Sequence, residues 1–147
     1  MNTTQQFKNI YLNFNTTSIK FPIIHSTNIL QIVAVAMSTI KSTHKIVISY
    51  NASEILFNAA STSSSCNSPI VCNINTTTKV INVLNIASTP NTDTVYLNIT
   101  NTIALVPKPT LLIEMRTTTN YLILSQSVTI SPTLPDLITY NLTQSTW

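Results

Sequence analysis

The sequence predicts an all-β protein, a single-domain antiparallel β-sandwich of about nine or ten short strands with little helix. Three observations lead to this fold class. Apolar and polar residues alternate with a period of two, as on strands that bury one face. Thr, Ile and Val are abundant, and β-branched side chains favour a pleated surface. Proline and asparagine separate the apolar runs at short intervals. The length of 147 residues fits one domain, 1–147.

Five runs in the first part of the chain are predicted strands. Residues 10–14 alternate apolar and polar side chains, which is typical of a half-buried strand. Residues 29–36 are nearly all apolar and short, which indicates a core strand or a short buried helix. Residues 46–50 alternate again, and 70–74 and 80–86 follow on either side of a Thr-rich turn.

Five further runs complete the sandwich. Residues 95–99 alternate clearly, and 103–106 follow after a short polar interruption. Residues 111–115 lie between a proline-containing loop and a polar Thr-Asn turn. Residues 121–124 and 128–130 are the last two runs, and each is short enough for a sandwich strand.

Two segments allow a different interpretation. Residues 53–60 are the best helix candidate, because Ser53 suits an N-cap and Glu54 suits a first turn. Residues 21–40 contain no formally charged residue and have the length of a membrane span. Several polar side chains dilute that stretch, so we expect a buried element there and no span.

Glycine is absent from the whole chain, and charged residues make up 7% of it, against about a quarter in an ordinary domain. Phosphate-binding glycine loops, dinucleotide fingerprints, nucleophile elbows and EF-hand loops are therefore excluded in their usual form. Turns that need a left-handed residue must use asparagine, the next most tolerant residue type. The surface must be built from Thr, Ser and Asn, which together form two fifths of the chain.

Cys66 and Cys72 are six positions apart around Pro69. This spacing allows an intramolecular disulfide, which would indicate an oxidising compartment. Two alternatives stay open at this point: unpaired structural thiols, and metal or redox chemistry. A zinc site would need two more ligands, and His25 and His44 are the only histidines.

Six Asn-x-Ser/Thr sequons make N-glycosylation a hypothesis. With 17 asparagines and 41 serines and threonines in 147 residues, about five such sites arise by chance. The candidate asparagines are Asn2, Asn15, Asn51, Asn75, Asn98 and Asn141.

The sequence does not predict an enzyme, a cofactor or a metal site. The side chains that could act as acids or bases are few and scattered, and no motif brings them together. Those side chains are His25, His44, Asp93, Asp136, Glu54 and Glu114. The seven basic residues are also dispersed, and a single arginine provides few bidentate contacts to phosphate. We therefore expect no nucleic-acid partner.

Sheet edges supply the functional hypothesis. Natural sheets blunt their edges with lysines, inward charges or bulges, and a chain with so few charges has little of this protection. We therefore predict a non-enzymatic structural or surface protein that forms a homo-oligomer or homopolymer, as a subunit of a filament, coat or virion. The termini, 1–7 and 141–147, are the predicted extended or strand-exchanging segments. The alternative is a small viral or accessory protein that binds a host or partner protein through a sheet edge.

An extracellular, cell-surface or virion location follows from that hypothesis. The polar start of the chain is not followed by an apolar stretch with a small-residue cleavage site, so the sequence predicts no secretory signal there.

Overall fold

A computed structural model describes residues 5–15, 27–57, 66–67, 69–88 and 93–130. These residues form nine strands and one 3-10 turn, Ile86–Ser88, so the all-β prediction with little helix is confirmed. The strands are β1 (Asn9–Asn15), β2 (Thr27–Val35), β3 (His44–Tyr50), β4 (Ile55–Phe57), β5 (Val71–Asn75), β6 (Val80–Leu84), β7 (Thr94–Ala104), β8 (Thr110–Thr117) and β9 (Leu122–Thr129).

The strands form two antiparallel sheets. The four-stranded sheet has the order β1-β2-β7-β4, and the five-stranded sheet has the order β5-β6-β3-β8-β9. Their inner faces share one hydrophobic core in which isoleucine predominates. Isoleucine suits this position because its branched side chain is stiff and packs well on a pleated surface. The largest fully buried side chains are Leu30, Ile32, Ile46, Ile48, Ile55, Ile70, Ile81, Ile86, Leu97, Ile99 and Leu111.

Two pairs of predicted runs are single strands in the structure. Runs 95–99 and 103–106 belong largely to β7, whose register against β2 shifts between Asn28 and Leu30. Asn101 lies at this irregularity with a φ of 55°. β7 has one more residue than β2 between these pairs, and this bulge lets the side chains of Ile99 and Thr102 both face the core. Runs 121–124 and 128–130 likewise contribute to one strand, β9.

The helix predicted at 53–60 is wrong for the residues that the structure describes. Residues 51–54 form a turn and β4 follows directly. Ile55 and Phe57 are buried on either side of an exposed Leu56, which is a strand pattern. The side-chain oxygen of Asn51 accepts hydrogen bonds from the backbone N–H and the hydroxyl of Ser53, so asparagine organises a turn where a serine cap was expected.

Asparagine takes the positions at which glycine is usual, as predicted. Asn85, Asn101 and Asn120 have φ values of 65°, 55° and 75°. Lys79 has a φ of 61° and was not predicted to occupy the left-handed region. Asparagine tolerates this conformation because its short polar side chain can hydrogen-bond locally, and Nζ of Lys79 also donates locally, to the carbonyls of Thr76 and Thr77.

The run 21–40, which has the length of a membrane span, contains β2 from residue 27 onward. In the described ranges we find no helix with the length and apolar character that a membrane crossing requires. Of the two termini predicted to exchange strands, residues 1–4 and 141–147 lie outside the described residues.

Candidate interaction surface

The disulfide links the two sheets. Cys66 and Cys72 are bonded, with their Cα atoms 5.8 Å apart. Cys72 is buried on β5, at one edge of the five-stranded sheet. Cys66 forms an antiparallel bridge with Ile99 of β7, in the four-stranded sheet. The bond therefore holds the segment that contains Cys66 and Asn67 against β7.

Asn67 completes the edge of β7 with its side chain. Its Nδ2 donates to the carbonyl of Tyr96 at 3.0 Å, and its Oδ1 accepts the backbone N–H of Asn98 at 2.8 Å. The short β4 pairs with β7 over three residues. Asn67 satisfies backbone groups farther along that edge, which would otherwise be open to another strand.

The N-terminal segment partly covers β9. Gln5 forms a parallel bridge with Leu124, and the carbonyl of Gln5 accepts the N–H of Ser125 at 2.8 Å. Phe7 is buried in the core, and the N–H of Lys8 donates to Val35 in the other sheet. Residues 5–8 therefore cross from one sheet to the other, and this part of the predicted exchanging terminus 1–7 packs on its own chain.

The outer edge of β1 is the most open edge that the structure describes. β1 pairs with β2 along all seven of its residues, and no described residue pairs with its other side. Its sequence, Asn-Ile-Tyr-Leu-Asn-Phe-Asn, contains no charge, no proline and no glycine. β5 is also an outer strand, but it has five residues and is tied across by the disulfide. β1 thus lacks the protective features of natural edge strands.

The outer face of the four-stranded sheet carries an aromatic row. Tyr11 lies opposite Val33, and Val33 lies opposite Tyr96, so the three side chains form one line across β1, β2 and β7. Tyr11 is 58% exposed and Tyr96 is 48% exposed. Large apolar side chains with this much exposure are informative when they stand together on one face.

An amide row lies beside the aromatic row. Asn13 is opposite Gln31, and Gln31 is opposite Asn98, two positions farther along each strand. Nδ2 of Asn13 donates to Oε1 of Gln31 at 3.1 Å, which fixes the orientation of both amides. On the other side of the aromatic row, Asn9, Val35 and Thr94 form the next line.

The charged side chains of the strands are on the opposite sheet. Glu114 and Arg116 of β8 form a paired salt bridge, with contacts of 3.0 and 3.1 Å. Lys45 of β3 donates to Oδ1 of Asn82 at 3.3 Å. The described strand residues on the outer face of the four-stranded sheet carry no formal charge. The two outer faces of the sandwich therefore differ in chemistry.

The side chains considered as acids or bases make structural contacts. Oε1 of Glu54 accepts the N–H and the hydroxyl of Thr110, at 2.9 and 3.1 Å, and so connects the turn before β4 to the start of β8. Oδ1 of Asp93 accepts the hydroxyl of its neighbour Thr94 at 2.9 Å. Glu114 is the acid of the salt bridge on β8. His25 and Asp136 lie outside the described residues.

His44 has a structural contact of its own. Its Nδ1 accepts the backbone N–H of Lys41 at 3.0 Å, within the turn that precedes β3. Burial, and secondarily the charge of Lys41, lower the pKa of His44 below its ordinary value. Within the described residues, no group of three or more His, Cys, Asp or Glu side chains could hold a metal ion.

The sequons are distributed over different environments. Asn51 and Asn75 are exposed at turns, and the Oδ1 of each accepts hydrogen bonds from residues that follow. Asn98 is half-buried in β7. Asn15 ends β1, and Asn2 and Asn141 lie outside the described residues. Glycosylation of these sites stays a prediction.

Sequence reasoning missed the two features that define this surface. The amide of Asn67 and the row of Tyr11 and Tyr96 depend on pairing between strands far apart in the chain. The alternation of residues 10–14 did indicate that Tyr11 faces away from the core. Its position opposite Val33 required the register of β1 against β2, which alternation in single strands does not provide.

Comparison with known proteins gives a fold and no family. No family model matches the chain, and no curated protein matches it. A cohesin module from a family 33 glycoside hydrolase of Clostridium perfringens ATCC13124 is similar in structure, with a TM-score of 0.49 and 14% identity, over 89% of this chain and 98% of that chain. The B domain of a biofilm associated protein is similar with a TM-score of 0.50 and 12% identity. That match covers 97% of this chain and 44% of the other. At 12% identity the likeness to the B domain shows the fold alone.

Proposed function

We propose that this chain is a non-enzymatic structural or adhesion module of an extracellular surface, and that it assembles with copies of itself through the edge of β1. The observation that carries the proposal is the seven-residue β1, which is uncharged and has no described pairing partner on its outer side. An exposed strand of this kind presents a row of backbone donors and acceptors to another chain.

Two further features support an extracellular location. A disulfide persists in oxidising compartments, and Cys66 and Cys72 form one. The B domain of a biofilm associated protein has the same kind of fold. Fold alone does not specify function, so this second support is an analogy.

Antiparallel pairing of two β1 strands is chemically favourable. With a two-fold axis at Leu12, that residue would face Leu12 of the second copy, and Tyr11 would face Asn13 of the second copy. Shifting the register by two residues keeps apolar positions opposite apolar positions. No register brings like charges together, because β1 has none. The product is a symmetric dimer, the commonest closed assembly.

Light scattering coupled to size-exclusion chromatography tests the proposal. We expect wild-type protein to move from the mass of one chain to the mass of two as its concentration rises. The variant Asn9→Lys/Asn13→Lys places two lysines on the exposed side of β1 and should remain monomeric, since lysine protects sheet edges. A mass above two chains would identify a second pairing edge and hence a polymer.

A matched control keeps the charge change and moves it. Asn73→Lys/Ser127→Lys adds the same two charges at exposed positions of β5 and β9, the outer strands of the other sheet. This variant should dimerise like wild type. Wild-type protein that remains monomeric at millimolar concentration, or a β1 variant that dimerises as well as the control, would overturn self-assembly through β1.

A further inference from the structure

We propose that the outer face of the four-stranded sheet binds an uncharged, β-linked polysaccharide, with Tyr11 and Tyr96 as stacking platforms and the amide row as its hydrogen-bonding side. This inference goes beyond the proposed function and does not depend on pairing between β1 strands.

The aromatic row has the dimensions of an extended polymer. Tyr11 and Tyr96 belong to strands separated by β2, so their backbones are about 10 Å apart, which is two strand spacings. Val33 lies between them and is half-buried, so Tyr11 and Tyr96 are the more exposed side chains of the row. Sugar rings of a β-linked chain present apolar C–H faces that can stack on such rings, and in β-1,4-linked chains successive rings form a flat ribbon.

The amide row supplies complementary polar groups. Asn13, Gln31 and Asn98 lie two residues along their strands from the aromatic row, which corresponds to about 7 Å. Each amide offers both a donor and an acceptor, as sugar hydroxyls require. The 3.1 Å bond between Asn13 and Gln31 preorganises part of this row before a ligand binds.

The lack of formal charge on the described strand residues of this face favours an uncharged ligand over an anionic one. The described strand residues on this face carry no formal charge, while Lys45, Glu114 and Arg116 lie on β3 and β8 of the other sheet. Anionic polymers and anionic lipid surfaces are recognised chiefly through lysine and arginine. The described strand residues of this face offer no such group.

The width of the apolar strip favours a single polymer chain as its occupant. The neighbouring rows on both sides are rich in amides and hydroxyls, so the apolar strip is one row wide. A single polysaccharide chain fits a strip of this width.

Affinity electrophoresis with soluble neutral glucans tests the proposal. Protein produced in a bacterial host, which leaves Asn98 unmodified, is run in native gels containing hydroxyethylcellulose or laminarin, and calorimetry with cellohexaose gives an affinity. Wild-type protein should be retarded, whereas gels with the anionic polymer alginate should not retard it. Tyr11→Ala and Tyr96→Ala should each weaken binding about tenfold, as loss of an aromatic anchor does.

Tyr121 provides the matched control. It is 73% exposed in the turn that precedes β9, away from the proposed face, so Tyr121→Ala should bind like wild type. Asn9→Lys adds one charge to β1 outside the aromatic and amide rows, so it should weaken dimers but bind glucan like wild type, which separates failure of the two proposals. Absence of retardation by both neutral glucans, or equal binding by Tyr11→Ala/Tyr96→Ala and Tyr121→Ala, would overturn the inference. If wild type does not bind glucan and Tyr11→Ala/Tyr96→Ala no longer forms dimers, the inference is also overturned. The face is then a contact between copies of this chain.

Discussion

The side-chain oxygen of Asn67 accepts the backbone N–H of Asn98 at 2.8 Å. The nitrogen of the same amide donates to the carbonyl of Tyr96, so one side chain satisfies two backbone groups of β7 as a neighbouring strand would. β4 is too short to reach this part of β7. The amide therefore closes the edge of the four-stranded sheet that is opposite β1, while the outer side of β1 has no pairing partner among the described residues.

Asn67→Ala should destabilise the fold by about 1 to 2 kcal/mol, because two hydrogen bonds are lost. The variant also exposes the N–H of Asn98 and the carbonyl of Tyr96 to other chains. Urea denaturation followed by tyrosine fluorescence measures the first effect, and light scattering measures the second. Asn73→Ala is the control, since Asn73 is exposed on an outer strand. Equal stability of the two variants would contradict the role assigned to Asn67.

Removal of the disulfide should also weaken this edge. The bond closes a loop from Cys66 to Cys72, and the chain-entropy relation for so short a loop gives about 2 kcal/mol of stabilisation. Cys66→Ser/Cys72→Ser, or reduction of wild type, should lower the free energy of unfolding by this amount in urea titrations.

A double-mutant cycle connects these two predictions. The disulfide holds Asn67 beside β7, so Asn67→Ala should cost less in the Cys66→Ser/Cys72→Ser background than in wild type. Additive losses would show that the bond and the amide act independently.

Local patterns predicted most of the fold because they report on single strands. The alternation in β3 is visible in the sequence, where Ile46 and Ile48 face the core. The use of asparagine at positive φ was also predictable, since a chain without glycine has few other residues for those positions. The same local reasoning placed a helix at Glu54, because capping residues fit a turn as well as they fit a helix start.

Long-range pairing explains what local patterns could not provide. The side chain of Glu54 accepts a hydrogen bond from the backbone N–H of Thr110, a residue 56 positions later, and this contact fixes the turn before β4. Likewise, Tyr11 and Tyr96 share a row only because β2 lies between their strands. Register between distant strands depends on the complete sheet, and one sequence without its pairings does not specify it.

Gln126 should be a site at which stability can be gained. It lies on β9, opposite the buried Ile113 of β8, and its Oε1 is buried without a hydrogen-bond partner among the described residues. An unpaired buried acceptor costs about 1 to 3 kcal/mol. Gln126→Met should therefore raise the free energy of unfolding by about 1 kcal/mol in urea titrations. Gln31→Met, on the outer face, should give no gain, and an equal gain in both variants would refute the explanation.

Lys79 should show the cost of a left-handed backbone conformation. Its φ of 61° lies in the left-handed region, which costs a residue with a Cβ about 1 to 2 kcal/mol. Lys79→Gly relieves this cost and Lys79→Ala keeps it, while both variants lose the hydrogen bonds from Nζ to the carbonyls of Thr76 and Thr77. The glycine variant should therefore be more stable than the alanine variant by about 0.5 kcal/mol, since the greater freedom of glycine in the unfolded chain offsets part of the gain. If thermal unfolding shows alanine to be as stable as glycine, conformational strain is not the cause.

His44 should make the fold sensitive to acid. Its pKa is lowered in the folded state, first by burial and then by the charge of Lys41, so the native protein favours the neutral ring. The stabilisation is complete above the unfolded pKa of about 6.5 and is lost as the pH falls through the lower pKa of the folded state.

The experiment replaces His44 with asparagine, which can accept the N–H of Lys41 and does not titrate. We therefore compare His25→Asn with His25→Asn/His44→Asn, which removes the other histidine from both proteins. Between pH 7.5 and pH 5, urea denaturation should show a larger loss of stability for the protein that retains His44. Parallel losses in the two proteins would mean that His44 does not couple protonation to folding.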